Sequence, residues 1–581
     1  MSDKFRFNPE TGKAGLWDNG LMKAAAFFAA AAVSLAGIAF YSPTNDGEPI
    51  PIVPAVPADT RVSVSGQWSI PPSQPVSVLA AKPTKEPNET VSSTQSSAEP
   101  AAPSPSTAQP PKKPASVPTP AASKATAAEP ASQQSTAKKS PKKTVTKKPK
   151  QSPSKKTKPK KTKPSPPKKP TTYSGATIGG FFIYSSTSTQ VTNQMLDGIK
   201  ATGADTVITF GSRLRPVTVN NHTPQATGFT SCVENGKGCL SALYKKHKVN
   251  KVFTYEDKEP WSGRALVCSG ERMVAADNGD KFTVLVLGRK GNCSKAADLV
   301  VIKHPASGKA TTELVKGAQK RGMKVILGLP APIASSKHGW LPDMSYQDTL
   351  QRFTNRFLHR TKKDYGTPKT IAGFYHHTEM PLVVSDSWKS VRTLYSMQNK
   401  SIKKHFPGKI GLISPYIDAR RNSVSPTPLK EVAAATRKLA KTANGVHIII
   451  APQDGQGTGK VGAYSHGQRN NKVDAPSAAV AGKGTYAQRY YGSTGDYMRE
   501  VVKGTRGNGV TAWVNIELMT ATTTGAPQCQ GAPLGRGKAD ISRVKRQVKI
   551  AAVSGVRKTI GFMWQPYATC GANPISAGLQ R

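Results

Sequence analysis

Acidic residues are scarce. Only 34 Asp and Glu stand against 82 Lys and Arg in 581 residues, a formal net charge of +48. A chain so basic favours polyanions over cationic partners. Cysteine is absent from the first 231 residues, and the six that follow include no C-x-x-C pair, which argues against a compact zinc knuckle. Aliphatic residues are sparse between 42 and 172, so that stretch has nothing from which to build a core. No G-x-x-x-x-G-K-[ST] phosphate loop occurs: "GQGTGK" (455–460) has different spacing.

What is present divides the chain. Residues 24–41, "AAAFFAAAAVSLAGIAFY", form an uncharged run of 18 preceded by Lys4, Arg6, Lys13 and Lys23. Length and flanking charge predict a membrane anchor with residues 1–23 in the cytoplasm, or a signal peptide cleaved near Gly37-Ile38-Ala39. Either way the remainder is expected outside the cytoplasm, membrane-anchored or, if cleaved, secreted. Residues 42–172, rich in Pro, Ser, Ala and Lys, read as a disordered stalk. Between 111 and 169 the stalk holds 18 lysines and one acid, Glu129. Its "SPKK" resembles the minor-groove motif of linker-histone tails. A basic run alone specifies no partner, and the upstream apolar segment argues against nucleic acid, so anionic envelope polymers are the expected contact. The six cysteines, Cys232, Cys239, Cys268, Cys293, Cys529 and Cys570, fit disulfides in an exported domain. Proximity suggests 232–239, 268–293 and 529–570, though six cysteines allow many pairings.

Residues 173–581 read as the folded domain. Eight apolar runs of strand length recur: 178–184, 205–211, 324–330, 370–376, 409–416, 445–453, 511–517 and 559–567. They are apolar at successive positions, as parallel strands covered on both faces must be. Helical patterns lie between them, as at 189–201, 388–402 and 540–553. Eight β/α units predict an α/β fold, a (β/α)8 TIM barrel. An open doubly wound sheet is the alternative, but "FFIYSSTSTQ" lacks the glycine-rich loop such a sheet carries after its first strand. Residues 212–308 interrupt the pattern with four cysteines and strand-like runs at 251–256, 281–288 and 297–303. They read as a disulfide-containing insertion, although some of those runs could belong to the barrel.

Active sites on this fold sit at the C-terminal strand ends. There the sequence puts Tyr375, His376, His377 and Glu379 after strand four, Tyr416 after strand five, and Gln453 and Asp454 after strand six. Asn515 and Glu517 end strand seven, and Trp564 follows strand eight. Glu517 sits in an apolar strand, where an unpaired charge is costly. Adjacent histidines on an extended chain face opposite ways, so at most one of His376 and His377 can face Glu379, and no metal-ligand set is visible. No cofactor is expected.

With glutamates after strands four and seven, the chain resembles the retaining glycoside hydrolases built on TIM barrels. "GFYHHTEMP", "LISPYID", "IIIAPQDGQG" and "AWVNIELM" resemble more closely an uncharacterised bacterial family of glycosidase-like barrels. The resemblance implies Glu379 as acid/base and Glu517 as nucleophile. Tyr375, Tyr416, Gln453, Asp454, Asn515 and Trp564 would then contact substrate, although Thr378 stands where the clan has Asn. The expected function is a membrane-anchored, extracytoplasmic glycosidase acting on an envelope or extracellular polysaccharide. The excess charge of 173–581, 57 basic against 24 acidic residues, points to an acidic polymer as substrate or as supporting surface. A non-catalytic carbohydrate-binding barrel, or a basic-tailed polyanion- or DNA-binding protein, is the alternative.

Overall fold

The computed structural model describes residues 177–261, 271–289, 292–521, 529 and 536–580, with backbone only at 289 and 292–295. Eight parallel strands form the barrel: β1 Gly180–Ile183, β2 Thr206–Thr209, β3 Lys324–Gly328, β4 Ile371–Tyr375, β5 Ile410–Ile413, β6 His447–Ile450, β7 Thr511–Glu517 and β8 Thr559–Phe562. All fall within the eight apolar runs. β7 is interrupted at Trp513, so that Thr511–Ala512 pairs with β6 while Val514–Glu517 pairs with β8. β1 pairs with β2 and β8, and the circuit closes. The bridge between Gln453 and Asn515 extends the β6–β7 seam upward.

Every residue of β1, β2, β8 and Val514–Glu517 is buried, because side chains fill the lumen on one face and meet helices on the other. Phe182 of β1 lies 5.0 Å from Tyr375 of β4 and 5.9 Å from Phe562 of β8, ring centre to ring centre. β1 and β4 are not neighbours, so that contact crosses the lumen. The covering helices are α1 Thr189–Ala201, α2 Ala310–Lys320, α3 Gln347–Tyr365, α4 Lys389–His405, α5 Val432–Ala440, α6 Thr494–Thr505 and α7 Ile541–Ala551. α1 shows the logic: Ser188 accepts from the Val191 N–H as its cap, and Thr192, Met195, Leu196 and Ile199 form the buried stripe.

The interruption after β2 is a second sheet. Its strands run in the order 331–332, 213–217, 249–256, 292–304, 281–289 and 272–275. All three strand-like runs of the insertion belong here and none to the barrel. Alternation assigns its two faces: Leu285, Leu287, Val300 and Ile302 join the main core, while Val284, Val286, Leu299 and Val301 enclose a smaller one. The Cys232–Cys239 disulfide sits in that smaller core, and Cys529 bonds Cys570. The pairing expected of Cys268 and Cys293 lies outside the described residues.

The anchor expectation is corrected. No helix among the described residues is long and apolar enough to cross a membrane. Segment 24–41 lies outside them, as does the expected stalk at 42–172, so the structure supplies no spanning element. Membrane attachment through 24–41, extracytoplasmic placement, and the envelope-polymer partner and polysaccharide role built upon them are not carried forward.

One crowded contact positions the mouth. A Cβ on Gly211, just past β2, would lie 1.8 Å from the Leu329 carbonyl oxygen, and one on Gly328 2.1 Å from the Gly211 nitrogen. Neither site requires a positive φ, so crowding alone demands glycine. Gly211→Ala should lower stability in urea by about 2–4 kcal/mol. Gly339→Ala, where nothing lies within 4 Å of the new carbon, should change it by less than about 0.5 kcal/mol.

Candidate active site

Glu379 lies four residues past β4, yet the chain there is not loose. The Tyr416 N–H donates to the Met380 carbonyl and the Leu382 N–H to the Tyr416 carbonyl, both at 3.0 Å, renewing the β4–β5 pairing beyond the strands. Tyr395 donates from its hydroxyl to the Thr378 carbonyl at 2.6 Å. Glu379 thus projects from a short arch pinned at both feet. Tyr375, pointing into the barrel, donates to its Oε1 at 3.1 Å, and Gln453 also bonds the carboxyl. The side chain is half-buried and lines a cleft. Burial pushes its pKa from 4.5 up to about 7, and the negative charge of Glu517 adds to this, while Gln453, Tyr375 and Lys460 oppose it.

The cleft beside Glu379 is walled by Trp340, Trp388 and Tyr416, with Pro332 and Pro342, and Arg213 also lines it. A second cavity opens over β1, β2 and β8 beside Tyr184, Phe210, Asp257 and Lys258. His377 borders both. His376 turns the other way, buried against Gln398 and Asn399 at 3.0 and 2.9 Å, and that burial pulls its pKa down to about 4. Their opposed directions follow from the extended chain. Among the described residues no group of three or more His, Cys, Asp or Glu could hold a metal ion.

Glu517 ends β7 and is 2 % exposed. Its Oε2 accepts from the Thr458 N–H at 2.7 Å and the Thr458 hydroxyl at 3.1 Å. Burial raises its pKa; Lys460 and Thr458 pull the other way. It lines neither cavity, because the loop 454–460 covers it. Lys460 lies 4.8 Å above the Tyr416 ring and interacts with Asp418, Glu517 and Glu379 together. A cation is thereby set among the acids of the mouth.

The other residues expected at the mouth divide by position. Tyr416 walls the cleft. Asn515 donates to the Ser414 hydroxyl at 3.1 Å beneath the site, on the same strand as Glu517. Asp454 is fully buried behind Glu517: Oδ1 accepts from the Gln456 and Glu517 N–H groups, and Oδ2 from Gln547. Trp564 packs edge-on against Phe181, with its ring 5.1 Å away, and touches α1 at Gly198. It faces the helix layer and neither cavity. Trp340, Trp388, Arg213, Thr458 and Lys460 were not anticipated as site residues. Only the last two carried a signal, the glycine spacing of "GQGTGK", which lets backbone approach a side chain closely.

Residues 294–577 match the family model described as Domain of unknown function (DUF4434). Among solved structures, the chain is similar to an assigned alpha-L-fucosidase from Bacteroides thetaiotaomicron VPI-5482 at 14% identity, covering 70% of this chain and 92% of that one, with a TM-score of 0.38. It is similar to a beta-galactosidase from Marinomonas ef1 at 8% identity, covering 68% and 55%, TM-score 0.33. A family GH18 chitinase from Chromobacterium violaceum gives 11% identity, 70% and 83% coverage, and a TM-score of 0.30. No curated protein matches. The barrel itself is established by its strand pairing, and the glycosidase structures resemble it at low identity. At these scores the likeness says nothing of the reaction, which has to be argued from the site.

Glu379 also carries a stability signature. Its folded pKa of about 7 exceeds its ordinary 4.5, so the folded state keeps a proton that the unfolded chain releases. The associated stability is full below the ordinary value and is lost as pH rises through about 7. Glu379→Gln cannot ionise. Relative to wild type it should gain about 1–2 kcal/mol between about pH 5 and pH 8 in paired urea titrations, allowing for the partial exposure of the group.

Proposed function

We propose that the barrel is a glycoside hydrolase in which Glu379 is the general acid/base and Glu517 the second carboxylate. The observation carrying this reading is a carboxyl with a pKa of about 7 on the wall of an aromatic cleft, within the electrostatic reach of a second glutamate at the same barrel end. Glycosidic cleavage needs a proton on the leaving oxygen, and an acid titrating near neutral pH donates it well. Tyr375 and Gln453 fix that carboxyl by hydrogen bonds. Trp340, Trp388 and Tyr416 offer faces on which sugar rings stack.

Glu517, whose carboxylate form Thr458 and Lys460 favour against the effect of burial, attacks the anomeric carbon while Glu379 protonates the departing oxygen. Water, deprotonated by Glu379, then releases the sugar. This requires the loop 454–460 to withdraw Thr458 from Glu517 when substrate binds. The cover over Glu517 favours a second reading, a carbohydrate-binding barrel without turnover.

Kinetics separate the two. In the hydrolase, kcat/KM should fall above about pH 7, where Glu379 loses its proton. Glu379→Gln should slow substrates with poor leaving groups by about 10²–10⁴-fold and activated aryl glycosides far less. Glu517→Gln should abolish turnover of both. Oligosaccharide binding without hydrolysis, unchanged in Glu517→Gln, would establish the binding barrel instead.

A further inference from the structure

We propose that Tyr375 is a positioning residue for Glu379, gripping its carboxyl from inside the barrel, and is not a sugar contact. The inference rests on the reading of Glu379 as the general acid/base.

Tyr375 ends β4 with its ring turned into the lumen. It is 1 % exposed and lines neither cavity, so a sugar in either does not meet it. Its ring lies 5.0 Å from Phe182 and 6.3 Å from Phe210, and Phe562 packs against both of those. The other three rings of this plug are phenylalanine, and phenylalanine would fill the fourth place as well. A hydroxyl buried among them is costly unless it is hydrogen-bonded. This one donates to Glu379 Oε1 at 3.1 Å. The plug thus carries a single polar atom, and that atom is aimed at the carboxyl.

The bond has a chemical consequence. Burial, Glu379 and Tyr395 all push the Tyr375 phenol well above its ordinary range, so it stays a donor wherever Glu379 titrates. A donor favours the carboxylate. Burial and Glu517 favour the acid, while Gln453 and Lys460 act with Tyr375. Tyr395 and Tyr416 also face the carboxyl, and burial first of all keeps both neutral. His377 and Arg213 line the same cleft. With a pKa of about 7, Glu379 can give a proton in the first step and take one in the second. Without the Tyr375 hydroxyl it would hold its proton more tightly and serve poorly as the base that activates water.

The test uses the full chain in urea titrations from about pH 5 to pH 10, comparing wild type with Glu379→Gln, and Tyr375→Phe with Tyr375→Phe/Glu379→Gln. In the first pair the stability linked to the Glu379 proton falls with rising pH and levels off near pH 7. In the second pair the levelling point should move up by about one to two pH units, the shift expected for losing one hydrogen bond to a charged group. Both pairs are repeated with Glu517→Gln, so that titration of that neighbour is not mistaken for that of Glu379. In the hydrolase, the alkaline limb of kcat/KM should move up by the same amount. Phe182→Leu removes a ring packed on Tyr375 but no hydroxyl, and should lower stability alike at every pH while leaving the levelling point in place. If Tyr375→Phe folds poorly, the wild-type protein answers instead: the infrared C–O band of a tyrosine should shift as Glu379 ionises, and that shift should be absent from Glu379→Gln. An unmoved levelling point, or no such band shift in wild type, overturns the proposal. A moved point in a protein that cleaves no glycoside upholds the grip of Tyr375 and refutes the hydrolase; cleavage with an unmoved point does the reverse.

Discussion

Two carboxylates are buried side by side at the seam where the barrel closes, and the mouth is organised around that fact. Glu517 and Asp454 come from adjacent strand ends, both are almost without solvent contact, and each raises the cost of ionising the pair. Charge in such a place persists only when donors replace water. Backbone N–H groups of Thr458, Gln456 and Glu517 itself do so, with Gln547 arriving from α7 and Lys460 from the loop. The glycines of "DGQGTGKVG" follow from the same need. A Cβ on Gly457 would stand 2.6 Å from the Glu517 Cβ, and Gly455 and Gly459 turn with φ of 68° and 69°. Larger residues would hold the loop away from the carboxylate it must solvate.

The seam also reaches across the mouth to Glu379. Its acidity responds to Glu517, to Lys460, and to Gln453, which stands one residue before Asp454. Burial raises the pKa of both glutamates, and the donors that oppose it differ. Glu517 receives two bonds from Thr458, one of them from a backbone amide, whereas Glu379 is bonded by a phenol and an amide side chain. Opposed environments of this kind divide acid from base in carboxylate pairs.

The barrel was legible because parallel strands covered on both faces must be apolar at every position. "GVHIIIAPQ" and "TAWVNIE" could hardly be anything else, and the polar residues ending them mark the mouth. The insertion strands were legible as strands, but their sheet was not, since pairing 213–217 with 249–256 and 331–332 depends on contacts far apart in sequence. Glu379 and Glu517 stood out by strand number. The orientations of Trp564 and Asp454 did not: a residue just past a strand can face the lumen, the seam or the helix layer, and the local turn decides. Most of the cleft walls were hidden for a related reason. Tyr416 stood at a strand end and was legible, but Trp340, Trp388 and Arg213 come from three other connections, and Trp388 resembles any apolar residue at a helix start. Segment 24–41 illustrates another limit, because an uncharged run of 18 satisfies a length rule without showing where the chain resides.

The grip of Thr458 on Glu517 sets two requirements against each other. Hydrogen bonds to a buried carboxylate stabilise its charge by about 1.5–3 kcal/mol each, and they also occupy the lone pairs a nucleophile must present. Tighter capping keeps Glu517 ionised but inaccessible; looser capping exposes it and lets a proton settle there. A substrate resolves the conflict only if its own binding contributes enough to move the loop. The aromatic cleft is suited to that, because each ring face stacked against a sugar adds binding energy remote from the reacting atoms. Lys460 links the two: its ammonium stands on the ring of Tyr416, a cleft wall, while its charge acts on Glu517 and Glu379. Under the proposed mechanism, a sugar packed against Tyr416 would meet the ring that carries the ammonium favouring the ionised form of Glu517. In that mechanism, occupancy of the cleft and readiness of the second carboxylate would be joined through a single side chain.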